Sequence, residues 1–316
     1  MSIKAVCGGA SIGRTFADEE SIEKMYKLLE EGGCNTIDTA RIYGDSEEWL
    51  GKTGAGKRFV IDSKAPGGFI AGSSTSTTIP QFAKETVERL RTSVDVYYLH
   101  APDPSVELED QLKGINEAYT AGHFKRFGIS NFKAVDVQRV YDICKAKGYP
   151  LPTVYQGSYS AVTRKQEVEL FPTLRKLGIA FYAYSPMAGG LLTKTAQQLR
   201  EGSEDAGRFA KSHIAHSLYS GLYNKPSYYK ALDLWEEAAK DAGCSRAELA
   251  YRWVAFDSAV DGKYGDAIIF GASKHSQISE TLAWLKHGSV GEAAKAKIDE
   301  IWKVIEHEAP LDNYHH

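Results

Sequence analysis

Short runs of β-branched and aromatic residues recur along the chain, and between them apolar residues return every three or four positions. The runs are KAVCG, NTIDT, FVIDSK, VYYLH, RFGIS, TVYQG, AFYAYS and AIIFGA, eight in all. Leu108, Leu112, Ile115 and Tyr119 form one helical stripe and Val137, Val140 and Cys144 another, each predicting one face turned to a core. Two start signals have capping-box spacing: Thr78-Ile-Pro-Gln81, with Pro80 just inside the helix, and Ser245-Arg-Ala-Glu248. A last periodic segment, from about 291 to 307, carries Ile298, Ile301, Trp302 and Ile305 and predicts an additional outer helix. Residues 194–226 hold no period, because Gly, Ser and His interrupt it. So long a loop in a compact domain is usually functional.

Strand runs alternating with amphipathic stripes predict a parallel sheet built from βαβ units. Eight such units in 316 residues fit a (β/α)8 TIM barrel better than a doubly wound open sheet. No composition break divides the chain, so residues 1–316 read as a single barrel domain with an additional C-terminal helix and long loops at its C-terminal face.

Composition narrows the function classes. A net charge of −3 gives no strong field for nucleic acid or an anionic membrane. No apolar run approaches the roughly 20 residues of a membrane helix, and MSIKAVCGG has no long apolar core of a signal peptide, so the expectation is a cytoplasmic protein. Cys7, Cys34, Cys144 and Cys244 are scattered, without the close pairs of zinc or redox sites, and read as reduced thiols.

Barrel sites gather where strands end. The strand ends supply Asp38 in NTIDT, Lys64 in FVIDSK and His100 in VYYLH, with Tyr43 in the loop after the second strand. Singly each has a bland reading: Asp38 a helix cap, Tyr43 packing, Lys64 a solvated charge, His100 a satisfied structural residue. Together they form a proton-handling set, since an ammonium beside a phenol favours its phenolate and makes it a useful acid or base. Lys64 supplies that charge, Asp38 holds it, and His100 donates to a carbonyl oxygen. A metal-dependent hydrolase using His100, Asp103 and Asp38 is the rival from the residues alone; Lys64 beside Asp38 argues against it, because an ammonium competes for the ligating carboxylate.

The blocks DTARIYGDSEEWLG, VIDSKAPG, YYLHAPDPS, GHFKRFGISNF, LPTVYQGSYSAVTRKQEVELFPTLRKLGIAFYAYSPMAGGLLTK and IIFGAS resemble, in order and along essentially the whole chain, the aldo-keto reductases, most closely the aflatoxin-aldehyde reductase branch and its fungal relatives. The resemblance implies a barrel that binds NADPH without a Rossmann fold and reduces a small-molecule aldehyde or ketone. It makes Tyr43 the proton donor, Lys64 and Asp38 its tuning pair and His100 the carbonyl-orienting residue. It implies that Ser130, Asn131 and Gln156 hold the nicotinamide carboxamide and that Tyr184 stacks on the ring. Ser185, Pro186, Met187, Ala188, Gly189, Gly190, Leu191 and Leu192 would wrap the pyrophosphate, with Lys194 just beyond and Arg208 reaching NADP from the long loop. Gly271, Ser273, Lys274, Gln277 and Thr281 mark the adenosine end, where a cation favours NADPH over NADH; the family commonly has Asn at the Thr281 position. SLYSGLY and the terminal DNYHH offer none of the arginines that the animal relatives direct at acidic substrates. Trp49, Tyr219, Tyr223 and Tyr314 are therefore the expected pocket lining, suiting an apolar or aromatic carbonyl compound. Homodimers in the nearest relatives extend that expectation to this chain. An NADPH-binding regulatory subunit on the same scaffold, like the potassium-channel β subunits, is the alternative; a first strand beginning near Ile3 weighs against it.

Overall fold

The computed structural model describes residues 3–202 and 204–315. Eight parallel strands close into a barrel in sequence order: β1 (Lys4–Gly8), β2 (Thr36–Asp38), β3 (Val60–Ala65), β4 (Val94–Leu99), β5 (Phe124–Ser130), β6 (Pro152–Ser158), β7 (Ala180–Tyr184) and β8 (Ala267–Phe270). The expected (β/α)8 architecture is the one observed. Side chains alternate along each strand, so one set packs the lumen and the other meets the helices. The lumen holds Val6, Val96, Tyr98, Val154, Tyr182, Ala267 and Ile269, whereas Ile37, Leu99, Ile129, Phe181 and Phe270 join the outer core. Tyr98 has room only because β5 carries Gly128: a Cβ there would stand 2.4 Å from the Tyr98 ring.

The terminal helix Glu292–Ile305 buries Ile298, Ile301 and Ile305 and packs on Pro226–Asp241, as its apolar period predicts. Ser245 caps its helix by accepting from the Glu248 N–H at 3.1 Å. The other start differs from expectation. Thr75, not Thr78, accepts the terminal amide, from Thr78 N at 3.1 Å, while Thr78 Oγ1 turns back to the Thr75 N–H at 3.0 Å. Gln81 bonds Glu85 one turn on, so no box forms. Tyr119, read as part of a buried stripe, is 42% exposed at the end of Leu108–Thr120 and leans on Phe124.

Residues 194–226 are also more ordered than their lack of period suggests. They hold the helices Ala196–Glu201 and His216–Tyr223, the first started by a reciprocal box between Thr195 and Gln198. Tertiary contacts sustain these short segments: Phe209 meets Tyr219 and Tyr223, and Tyr223 meets Tyr228.

Candidate active site

At the C-terminal rim the lumen turns polar. Lys64 is fully buried, and its Nζ donates to Asp38 Oδ2 at 2.6 Å and to the Thr39 carbonyl at 2.7 Å. The other Asp38 oxygen accepts from Gln156 Nε2 at 2.9 Å. Lys64 Nζ lies 5.2 Å from the centre of the Tyr43 ring, and that ring meets His100 edge-on at 5.7 Å. The strand-end set is thus one cluster. Burial works against the Lys64 charge, but Asp38 and Tyr43 override it and hold the ammonium above its usual range. Burial raises the Tyr43 phenol, with Lys64 pulling against it. Burial and then Lys64 push His100 well below the ordinary imidazole range, so it is neutral. Its Nδ1 is buried with no partner among the described residues.

Asn131 holds several of these parts together. It sits at φ +62°, a left-handed conformation that asparagine tolerates. Its Nδ2 donates to the His100 carbonyl at 3.0 Å and to Ser130 Oγ at 3.2 Å, and its Oδ1 accepts from the Tyr184 hydroxyl at 2.8 Å. The Tyr184 ring is thereby fixed above the strand ends.

After β7 the backbone is left-handed at Ser185, Ala188, Gly189 and Gly190. The stretch Ser185, Pro186, Met187, Ala188 is folded on itself by the Ala188 N–H to the Ser185 carbonyl, with Leu191 and Leu192 buried beneath. Gly189 is pressed on Tyr219, where a Cβ would stand 2.0 Å from the ring. Tyr219 in turn accepts from Arg208 at 2.8 Å. Lys194 Nζ lies 4.0 Å from where Gly207 would carry a Cβ, so two cations share this edge. At the end of β8, Gln277 Oε1 accepts from the N–H groups of Ser273 and Lys274 at 2.8 and 3.1 Å, closing the turn that follows Gly271. Lys274 is exposed there, whereas Thr281 is buried and hydrogen-bonded to Tyr251.

The expected pocket lining divides. Trp49 is partly exposed beside Gly13, and Tyr314 donates to the Pro102 carbonyl at 3.1 Å, which fixes the tail over the rim. Tyr223 does not line a pocket: it is fully buried among Phe209, Tyr219 and Tyr228. Tyr219, 7% exposed, serves Arg208 and Gly189. Phe69, which the sequence reading missed, is 48% exposed and bridges His100 at 4.9 Å and Tyr314 at 5.4 Å. Its sequence signal is the preceding Gly67-Gly68, the only residue type that fits there: a Cβ on Gly68 would stand 2.0 Å from the Pro102 carbonyl oxygen.

Asp103, the metal ligand of the rival reading, is consumed by the loop. It accepts from the N–H groups of Gly72, Ser74 and Ser105 and from the Ser105 hydroxyl.

Residues 4–303 match the model of the aldo/keto reductase family. The chain is 38% identical over 286 residues to the oxidoreductase sirO of Leptosphaeria maculans, covering 90% of this chain and 86% of that protein. It is 35% identical to human aflatoxin B1 aldehyde reductase member 4, covering 96% and 95%. The solved glycerol dehydrogenase AKR11B4 from Gluconobacter oxydans superposes with a TM-score of 0.74 at 22% identity, covering 98% of this chain and 93% of that one.

Proposed function

The chain belongs to the aldo/keto reductase family, an oxidoreductase family of carbonyl reduction, and from that premise we propose that it reduces an aldehyde or ketone with NADPH as hydride donor and Tyr43 as proton donor. The observation that carries the reading is the buried Lys64, clamped by Asp38 and Thr39 beneath the Tyr43 ring and facing His100.

The residues suit such a cofactor. The left-handed backbone at Ser185 and at Ala188, Gly189 and Gly190 makes the kind of concavity that takes phosphate oxygens, and Lys194 and Arg208 lie along its edge. Lys274, with Ser273, is placed for a 2′-phosphate, the group that separates NADPH from NADH. Ser130 and Gln156 offer side chains to the carboxamide, while Asn131 holds Tyr184 in position to stack.

Bound NADPH supplies a hydride from nicotinamide C4 to the carbonyl carbon. The chain's own groups manage the charge. Neutral His100 donates to the carbonyl oxygen, and Tyr43 gives its proton to the alkoxide that develops there. Lys64 stabilises the phenolate left behind, and Asp38 keeps Lys64 charged and oriented. Trp49, Phe69 and Tyr314 favour an apolar or aromatic carbonyl compound.

Following NADPH absorbance against aromatic and aliphatic aldehydes tests the reading. Tyr43→Phe is expected to lose reduction by about 10²–10⁴-fold while NADPH binding is unchanged. Retention of most of the rate would remove Tyr43 from its role.

A further inference from the structure

Beneath the cluster lies a carboxyl that the mechanism above does not use. Asp62 and Lys64 sit two residues apart on β3, and Asp62 is in register with Asp38 on β2, so the two acids are side by side in the lumen. Asp62 is fully buried. One oxygen accepts from the Val96 N–H at 3.0 Å, and the other has no partner among the described residues. Nor does Asp62 form an ion pair among them.

We propose that Asp62 is a positioning residue of the reductase site, its carboxyl acting through the Asp38–Lys64 pair to fix the proton affinity of Tyr43. The proposal rests on Tyr43 being the acid. Both Asp38 oxygens are engaged, by Gln156 and Lys64, and two Lys64 N–H groups are spent on Asp38 and Thr39. With the hydrogen bonds so committed, the charge one rung below is what adjusts the pair. The other groups around Asp62 are Lys4 on β1, Asp95 and Tyr98 on β4, Arg126 on β5 and Tyr182 on β7. Arg126 is paired to Asp95 at 2.6 Å, and Lys4, over the Tyr182 ring, draws the Asp62 carboxyl down by less than burial and Asp38 raise it. Burial, and then Asp38, lift the Asp62 carboxyl to about 7, where it changes charge near neutral pH.

The sign follows. Ionised Asp62 adds negative charge below Lys64 and Tyr43, so the first proton leaves that coupled pair at higher pH. Asp62→Asn keeps an acceptor for Val96 N–H but removes the charge. In this variant the pH above which reduction of 4-nitrobenzaldehyde is lost should fall by about one unit. The Tyr43 ζ-carbon resonance, assigned by its disappearance in Tyr43→Phe, should move by the same amount without any turnover. A uniform drop in rate with superimposable pH profiles and an unmoved resonance would mark Asp62 as merely structural. Should Asp62→Asn fail to fold, the wild-type protein decides: with aspartate carboxyl carbons and tyrosine ζ-carbons labelled, the Tyr43 resonance must shift at the pH at which the Asp62 carboxyl titrates, and no such shift overturns the proposal. These resonances are independent of the Tyr43→Phe rate, so failure of the acid assignment and failure of the Asp62 coupling are told apart.

Discussion

Asn131 illustrates what a residue list leaves out. Its place in GISNF marks it as a cofactor contact, but its amide is spent inside the protein, on His100, Ser130 and Tyr184. Asp38, Tyr43, Lys64 and His100 were legible because strand ends converge in a barrel, which turns sequence position into proximity. Asn131's work was not, since hydrogen-bond partners on three different strand ends have no signature in one strand. The consequence is measurable. Asn131→Ala leaves the Tyr184 hydroxyl and the His100 carbonyl without this partner and frees the Tyr184 ring. At roughly 1–3 kcal/mol for such losses, NADPH affinity should weaken about tenfold or more, read from cofactor fluorescence quenching. An unchanged Kd would mean that Tyr184 is held by packing alone.

At the scale of elements, long periodic stripes translated directly into helices, whereas short connections did not. The eight strands were readable because β-branched runs were separated by clear punctuation. The segments within 194–226 were not, because a six-residue helix such as Ala196–Glu201 depends on its caps and neighbours rather than on its own period. The connection after β3 shows the same limit. Gly67 has φ +59°, and a Cβ there would stand 2.4 Å from the Ala101 carbonyl oxygen. With Asp103 gathering the N–H groups of Gly72 and Ser74, this close approach sets Phe69 against His100. Gly67→Ala should therefore cost stability by about 1–3 kcal/mol in urea unfolding. Its kinetic mark should be a KM that rises more for an aromatic aldehyde than for a short aliphatic one. Equal changes for both substrates would separate Phe69 from substrate recognition.

Across the whole molecule, the fold was legible from alternation alone, but the charges inside the barrel were not legible from composition. A net charge of −3 says nothing about an aspartate and a lysine sealed in the lumen. Those groups give the molecule a definite dependence on pH. Asp62 titrates near 7 when folded and near 3.8 in its unperturbed state, so between these values the folded chain holds a proton that the unfolded chain has released. Stability from this group is therefore full at low pH and lost as pH rises from about 4 to 7, by roughly 1.4 kcal/mol per unit. His100 acts in the opposite sense: its folded pKa is well below 6.5, so the unfolded chain takes up a proton first and stability falls as pH drops below 6.5. Between about pH 4 and 6.5 the two slopes offset each other. Asp62→Asn removes one of them. Relative to wild type, the variant should be more stable at pH 8, where the buried carboxylate is ionised, and should lose that advantage progressively toward pH 5. Urea unfolding at pH 5, 6, 7 and 8 measures the difference, in which all other titrating groups cancel to first order. A difference that stays constant across the series would mean that Asp62 keeps one protonation state between pH 5 and 8, and its titration near 7 would fail with it.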